Sequence, residues 1–464
     1  MLTSRNIAIA KSERKKQIMK TVTTQPAREK VPLRPTKGQA RFAFTILLII
    51  NILNYADRYL LPAVLPKIQK DFGLTPFQEG LLGSSFLFVY AIATLPVGVW
   101  ADRSIRKKII ALCVGVWSVA TGLAGFTRNF LQLFTVRSIL GIGEAGYAPA
   151  SLSLLGDLFS KTRRGRILSY WSSGQLIGAA FGLTVGGLIA DAFGWRYAFF
   201  IVGIPGLIAA FLAWRMFEPA RGAFDSEEDN AGETLTTPAH ASLAKDFWGS
   251  IKKLRQIPTY WTLVIAQVFS FFTIGGTTFW MPTYVVDTFH LSVSQAGIIA
   301  GGVVVGSGLI GTVAGGWLAD FAQRRRPEGR LLVAALGFLL GTPLVLIALS
   351  IHTLPLFIAV FVVAGIFLTF CVGPLNAVIQ DVIMPGMRAT ALGLALLLAH
   401  LLGDAAAPLV IGAIASAHSL FFALIITAPI FLFLAGLICL LGLRTVARDM
   451  QRMQEQMRIS EKAS

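Results

Sequence analysis

Six ionisable side chains stand in stretches otherwise apolar enough to cross a bilayer: Asp57 and Arg58, Arg137 and Glu144, His400 and Asp404. An ionised group in hydrocarbon costs several kcal/mol by insertion scales unless it faces protein or water, so such groups point to a pathway through the membrane. Arg137 and Arg58 are the types that attract an anion. Asp57, Glu144 and Asp404 are the types that load and release a proton, because burial disfavours the ionised carboxylate. Glu144 lies seven residues beyond Arg137, on the same helical face and about 10 Å deeper. His400 and Asp404 are four apart and also share a face. This chemistry is binding and proton transfer rather than bond making. No His-Glu-x-x-His, Gly-x-Ser-x-Gly or phosphate-loop sequence occurs, and the chain is not read as an enzyme.

These groups must be positioned by membrane helices. A span needs about 20 apolar residues, and twelve candidates occur, at approximately 42–66, 78–100, 109–126, 130–156, 167–190, 197–217, 260–285, 296–319, 331–350, 354–380, 389–415 and 419–442. Lys and Arg crowd alternate loops, as at Arg103, Arg106, Lys107 and Lys108, or Arg324, Arg325, Arg326 and Arg330, and both tails are basic. The opposite loops hold only Lys67, Lys70, Arg128 and Arg196. The positive-inside rule therefore puts both termini in the cytoplasm. With this orientation Asp57 lies about 13 Å and Arg137 about 10 Å below the outer ends of their spans, so Asp57–Arg137, or a pair using Arg58, is expected. Asp404 lies about 24 Å from the cytoplasmic end of its helix, near the same level. Arg137 is then either an anion site or a lock on Asp57, and Glu144 either a proton carrier or a neutral packing acid.

With 464 residues, 55% hydrophobic and 14% charged, the chain is far too apolar for a soluble protein of this size. Its net charge of +17 sits in tails and alternate loops, not on a basic face interleaved with aromatics, which argues against nucleic acid. Cys113, Cys371 and Cys439 all fall in apolar runs and suggest neither disulfides nor a metal site; no cofactor is expected. The expected organisation is a basic tail over 1–41 (not a signal peptide), a six-helix bundle over 42–217, a linker over 218–258, a second bundle over 259–443 and a tail over 444–464. An amphipathic surface helix is expected in the linker near Phe247, Trp248, Ile251 and Leu254.

Gly174, Gly178, Gly182 and Gly186 repeat every four residues and predict a flat strip for close helix approach. Gly141 and Gly143 would make similar room beside Arg137. Pro62, Pro149, Pro282 and Pro374 are candidate kinks. Tyr55 and Asn376 are candidate substrate-lining groups, with Asn51, Asn54, Gln175, Gln267, Trp280 and Gln380 as further polar lining or interhelical glue.

The loop after span 2 carries Gly98-x-x-x-Asp102-Arg103-x-x-Arg106-Lys107, and 218 residues later Gly316-x-x-x-Asp320 precedes Arg324-Arg325-Arg326. One charged turn per half implies a duplicated bundle around a central site, a common carrier design. The first motif, together with Arg137-x-x-x-Gly141-x-Gly143-x-Ala145, resembles the loop and span 4 motifs of the major facilitator superfamily, with Ile105 in place of the usual second glycine. In that superfamily the Asp102–Arg103 positions latch the inner gate, and Gly98, Arg106, Asp157, Gly316 and Asp320 join them as gating residues. Over 42–442 the chain is similar to the spinster-like transporters. That similarity is carried by Asn54-Tyr55-Ala56-Asp57-Arg58 with Val64-Leu65-Pro66, Gly143-Glu144-Ala145, Asp157-Leu158-Phe159 and His400-Leu401-Leu402-Gly403-Asp404-Ala405.

The resemblance implies an all-α membrane protein of two pseudo-symmetric six-helix bundles that works by alternating access. Asp57, Arg137 and Glu144 fall where the family places coupling and substrate residues, and eukaryotic members move lysolipids and sphingoid phosphates. The expectation is a proton-coupled secondary transporter in a bacterial inner membrane, taking an anionic amphipathic molecule such as a lysolipid. Proton coupling is assigned to Asp57, Glu144 and Asp404, and substrate binding to Arg137, Arg58, Tyr55, His400 and Asn376. A small organic-anion symporter of the same superfamily is the alternative, and a membrane sensor without transport the different class. One chain holds both halves, so a working monomer is expected.

Overall fold

The computed structural model describes residues 35–221, 249 and 251–463, and among these the chain is helical with no strand. The N-terminal half contains α1 (Lys37–Phe72), α2 (Pro76–Asp102), α3 (Arg106–Ala124), α4 (Phe130–Ala145 continued by Tyr147–Leu158), α5 (Lys161–Phe193) and α6 (Trp195–Trp214). The C-terminal half contains α7 (Pro258–Phe289), α8 (Val293–Gln323), α9 (Gly329–Ser350), α10 (Leu354–Thr369 continued by Val372–Val382), α11 (Arg388–Ala399, His400–Asp404 and Ala407–Ala417) and α12 (Leu420–Ala463). The twelve expected spans are therefore twelve helices in two sets of six. The tail over 1–34 and the linker residues 222–248, with Phe247 and Trp248, lie outside the described residues.

Most helices run several residues past their apolar runs. Capping boxes set some starts: Thr36 with Gln39, Thr75 with Gln78, and Ser292 with Gln295 each exchange side-chain and backbone bonds over the first turn. The last helix continues through the expected C-terminal tail to Ala463, with Asp449 accepting from Thr259 N at 3.1 Å and Thr259 Oγ1 at 2.7 Å.

Three helices are interrupted, each about four residues before a proline. The first segment of α4 ends at Ala145 ahead of Pro149, that of α10 at Thr369 ahead of Pro374, and α11 widens to a π-turn over His400–Asp404 ahead of Pro408. Proline lacks an N–H and its ring crowds the carbonyl four residues back, so the ladder opens there. Pro149 and Pro374 were expected kinks and Pro408 was not. Pro62 and Pro282, also expected as kinks, lie inside uninterrupted helices.

The first helix starts, and the last helix ends, on the side of the bundle that carries the basic loops. At the opposite end the halves are sealed together. Gly80, Gly187, Gly297 and Gly412 let backbones meet across the seam: an added Cβ would stand 3.1 Å from Leu409 Cα, 3.2 Å from Ser294 Cα, 3.2 Å from Leu183 C and 3.2 Å from Pro76 C, respectively. Phe77 N donates to Ser416 Oγ at 2.8 Å, Leu409 N to Ser84 Oγ at 3.1 Å and Ser294 N to Asp191 Oδ2 at 2.7 Å, all between halves. At the basic end, a Cβ on Gly98 or Gly316 would meet nothing within 4 Å. The buried core agrees with this asymmetry. One cluster runs from the sealed end of the N-terminal half into the C-terminal half, whereas the basic end of the N-terminal half, around Leu47, Trp117 and Leu154, has a core of its own. The molecule is closed at one end and open at the basic one.

Candidate functional site

The glycine strip of α5 fixes where α1 stands. A Cβ on Gly178 would lie 2.8 Å from Tyr55 Cβ, and one on Gly182 would lie 3.0 Å from Ala56 Cα. The expected flat surface is thus used against α1 and holds the Tyr55–Arg58 segment. On the far side, Gly141 brings α4 against α2, where a Cβ would sit 2.6 Å from Phe86 O, and Gly143 brings it against α3, 2.8 Å from Trp117 N. Five helices, α1 to α5, therefore converge on the charges of α1 and α4.

Those charges form two pairs. Asp57 Oδ1 lies 3.7 Å from Arg137 Nη1, with both side chains buried. Asp57 Oδ2 accepts from Thr121 Oγ1 on α3. Arg58 Nε donates to Glu144 Oε2 at 2.7 Å. The expected Asp57–Arg137 pair is present, and Arg58 has its own partner. The pairing of Arg58 with Glu144 was not anticipated from spacing, because adjacent residues on α1 point about 100° apart and only the helix crossing decides which acid each meets.

The first pair is loose and underused. Arg137 Nε and Nη1, Asp57 Oδ1 and Glu144 Oε1 have no hydrogen-bond partner among the described residues. Unpaired buried donors and acceptors are costly, at about 1–3 kcal/mol each or more when charged. A guanidinium held this way has donors without a hydrogen bond, buried just behind the cavity wall. Arg58 packs against rings instead, its Cζ 4.5 Å from the Tyr90 centroid, 5.1 Å from Tyr55 and 5.3 Å from Phe86, and Arg137 Cζ is 5.1 Å from Phe86. Such faces stabilise a cation without neutralising it.

Both arginines border a central cavity of about 300 Å³ between the halves. Tyr55, Tyr59 and Phe86 line it from the N-terminal half, and Phe271, His400 and Asp404 from the other. His400 Nδ1 and Asp404 Oδ2 are 2.8 Å apart, as their spacing implied, and the His400 ring stands edge-on 5.2 Å from Phe271. Gly275 admits this segment, since a Cβ there would come 2.8 Å from Asp404 Cα. Asp57 and Glu144 stand behind the lining, buried at 0% and 1% exposure, and reach the cavity through the two arginines. Asn376, expected in the binding site, is not among the lining residues. Its Oδ1 accepts from Gln267 Nε2 at 2.8 Å, which makes both interhelical glue.

A second, more apolar cavity of about 190 Å³ adjoins the first, sharing Tyr59, Ile274, Thr278 and Thr369, and extends between α7, α8 and α10 past Met281, Val303 and Phe361.

The residues expected to act in gating sit at the basic end. Arg106, almost fully buried, is the hub: it pairs with Asp157, donates through Nε to Glu218 at 2.8 Å, and through Nη2 to Pro219 O at 2.9 Å. Glu218 was not singled out from sequence. Arg103 is exposed, and the side chain of Asp102 lies outside the described residues. In the C-terminal half Arg330 takes the corresponding role, 2.8 Å from Asp320 and 2.6 Å from Asp381.

The profile of the Major Facilitator Superfamily matches residues 47–408. Protein spinster homolog 3 of Danio rerio is 29% identical over 405 residues, covering 83% of this chain and 78% of that protein. Protein spinster homolog 1 of Xenopus laevis is 30% identical over 394 residues, covering 80% and 72%. Among solved structures, a bacterial homolog to the human lysosomal transporter Spinster, in an inward-facing and occupied conformation, has the same fold, with a TM-score of 0.79 at 24% identity over 89% of this chain and 99% of that one. The Major Facilitator Superfamily is one of transporters and not of enzymes, and this chain, a multi-pass membrane protein, belongs to its spinster family.

Proposed function

We propose that the chain is a proton-linked secondary transporter working by alternating access, whose substrate is an anionic amphipathic small molecule such as a lysolipid. The observation that carries this reading is Arg137, a buried guanidinium at the wall of the central cavity with two nitrogens that make no hydrogen bond, one of them held only by the 3.7 Å ion pair with Asp57. A headgroup oxygen draws the guanidinium toward the cavity and takes those donors, and an apolar tail follows the adjoining cavity past Met281 and Phe361. Arg58, Tyr55 and His400 complete the binding surface.

The basic end is cytoplasmic by the Lys/Arg bias, which makes the closed end the outer one and this conformation inward-facing, in a bacterial inner membrane. The halves 42–217 and 259–443 are the moving units, joined by the linker 218–258, and a single chain carries the cycle. Proton linkage is assigned to Asp57, Glu144 and Asp404. When an anion engages Arg137 the pull on Asp57 weakens, and protonation of Asp57 or Glu144 offsets the added charge.

The gating reading rests on the contrast between the two ends. Gly98 and Gly316 have open space before them, while the outer glycines touch the facing half. A bulky residue at Gly98 therefore obstructs closure of the inner side and leaves this conformation unharmed. Gly98→Val is expected to slow transport while keeping the unfolding temperature of wild type, read by flux and by thermal unfolding. Wild-type flux from Gly98→Val would remove Gly98 from the gate.

The main test is ligand-dependent thermal stabilisation of wild type and Arg137→Ala, with lysolipids and small organic anions. A ligand at 100 times its Kd stabilises the folded form by about 2.7 kcal/mol. Stabilisation by lysolipids that vanishes in the variant is expected. The modest size of the central cavity, about 300 Å³, favours the organic-anion symporter as the second reading. Stabilisation by small carboxylates alone would establish it in place of the first. Proton linkage is tested by Glu144→Gln, expected to flatten the pH dependence of flux; an unchanged pH profile would sink the coupling assignment.

A further inference from the structure

Away from the central cavity, on the membrane-facing side of the N-terminal half, α3 and α6 diverge. Nearer the closed end they touch: a Cβ on Gly203 would stand 3.0 Å from both Gly122 N and Ser118 O. Two turns toward the basic end the gap has widened, and a Cβ on Gly115 would find only Ala210 Cβ, at 4.0 Å. Between them a groove of about 560 Å³ opens, walled by Leu112, Val116, Leu123, Phe211 and Trp214 and floored by Gly115. From Ala111 to Leu123 it runs about 18 Å along α3, close to the hydrocarbon depth of one leaflet, about 15 Å.

The basic end of the groove carries two cations held by its own aromatic walls. Lys108 Nζ lies 5.8 Å from the Trp214 ring, and Arg215 Cζ lies 5.0 Å from the Phe211 ring. Both cations are exposed, and among the described residues neither is in an ion pair. The nearby carboxylate, Glu218, is already taken by Arg106 Nε at 2.8 Å and by the backbone of Lys107 at 3.0 Å. An apolar slot of leaflet depth ending in two uncommitted cations is complementary to one molecule class, a lipid with a fatty chain and a negative headgroup.

We infer that the α3–α6 groove is a binding site for an anionic phospholipid of the basic-side leaflet, separate from the transport cavity. One acyl chain lies along Gly115 between α3 and α6, and the phosphate sits between Lys108 and Arg215. Each such cation at a membrane surface is worth about 1 kcal/mol toward an anionic lipid, so the pair favours an anionic over a zwitterionic headgroup about thirty-fold. The bound lipid braces the first turn of α3, where Arg106 holds Asp157 and Glu218.

The experiment is native mass spectrometry of the full chain released from detergent, titrated with phosphatidylglycerol and with phosphatidylcholine of the same chains. It reads bound-lipid number and oligomeric state together. Wild type is expected to retain one phosphatidylglycerol far more tightly than phosphatidylcholine. Lys108→Gln with Arg215→Gln is expected to lose that preference by about thirty-fold. Both positions are on the surface, so folding is preserved. Gly115→Leu, which fills the slot, is expected to weaken phosphatidylglycerol with the cations intact. Equal retention of the two lipids by wild type, an unchanged preference in the double variant, or full retention by Gly115→Leu would overturn the site. So would a dimer that Gly115→Leu converts to monomer, because a second copy would then be the occupant of the groove.

Discussion

The two halves share an architecture and divide the chemistry unequally. Each has an uninterrupted second helix with a capping box at its start, Thr75 with Gln78 and Ser292 with Gln295. Each has a fourth helix broken before a proline, at Pro149 and Pro374, and an arginine at the start of the third helix reaching an acid at the end of the fourth. Among the described residues only the N-terminal half fully buries charges at its centre, Asp57, Arg137 and Glu144, with Arg58 beside them at the cavity wall. The C-terminal half offers His400 and Asp404 at the rim of the cavity, the histidine side chain 38% exposed. Duplication supplies the frame, and divergence puts the costly charges on one side, where a cavity of mixed aromatic and cationic character results.

The arginine hubs differ for a reason visible in loop length. From Asp102 to Arg106 is four residues, and from Asp320 to Arg330 is ten. The tight loop delivers Arg106 into the protein, where it meets Asp157, Glu218 and a backbone carbonyl. The longer loop lets Arg330 fold back onto Asp320 of its own motif, near water.

The largest effect that tests this comparison is at the central charges. Asp57→Ala strands Arg137 in a buried setting and is expected to cost about 3–5 kcal/mol, read by thermal unfolding in one detergent. His400→Ala in the other half is expected to cost less than about 1 kcal/mol. Equal losses would end the claim that the halves differ in buried charge. Next come the hubs. Arg106→Ala should lower stability by about 2–3 kcal/mol, because buried acceptors lose their donor, against about 1 kcal/mol or less for the half-exposed Arg330→Ala. A reversed order would mean that loop length is not what sets burial.

The smallest effect concerns the seam between halves. Ser84→Ala removes the hydroxyl that accepts from Leu409 N across the closed end. One hydrogen bond is worth about 1 kcal/mol, so the balance should move about five-fold toward the outward-open form. Alkylation of a cysteine placed at Ala415, buried beside the seam residue Ser416, measures this. No increase in labelling would show that the glycine-to-backbone contacts alone hold that end.

Much of the fold was legible because membrane helices announce themselves by length and apolarity, and because the glycine strip of α5 can serve little else than close packing. The Asp57–Arg137 pair and the His400–Asp404 pair followed from depth and spacing. Other features did not. Nothing in the sequence told which acid Arg58 would meet, because side-chain direction at a helix crossing depends on rotation of both helices. Asn376 was a fair candidate for the cavity until the register of α10 against α7 placed it on Gln267. Prolines marked kinks unevenly: Pro62 and Pro282 left their helices whole and Pro408 opened a π-turn, since neighbouring helices decide whether a freed carbonyl is tolerated.

By itself the sequence determined twelve helices, the duplication, the basic end and the identity of the charges that must be buried, all consequences of the cost of polar groups in hydrocarbon. Tertiary structure decided which charges pair, which of them face the cavity and which stand behind it, and which end of the bundle is closed. Those outcomes depend on crossing angles and contacts between residues eighty or more positions apart, where angstrom-scale differences choose between a salt bridge and an unpaired donor.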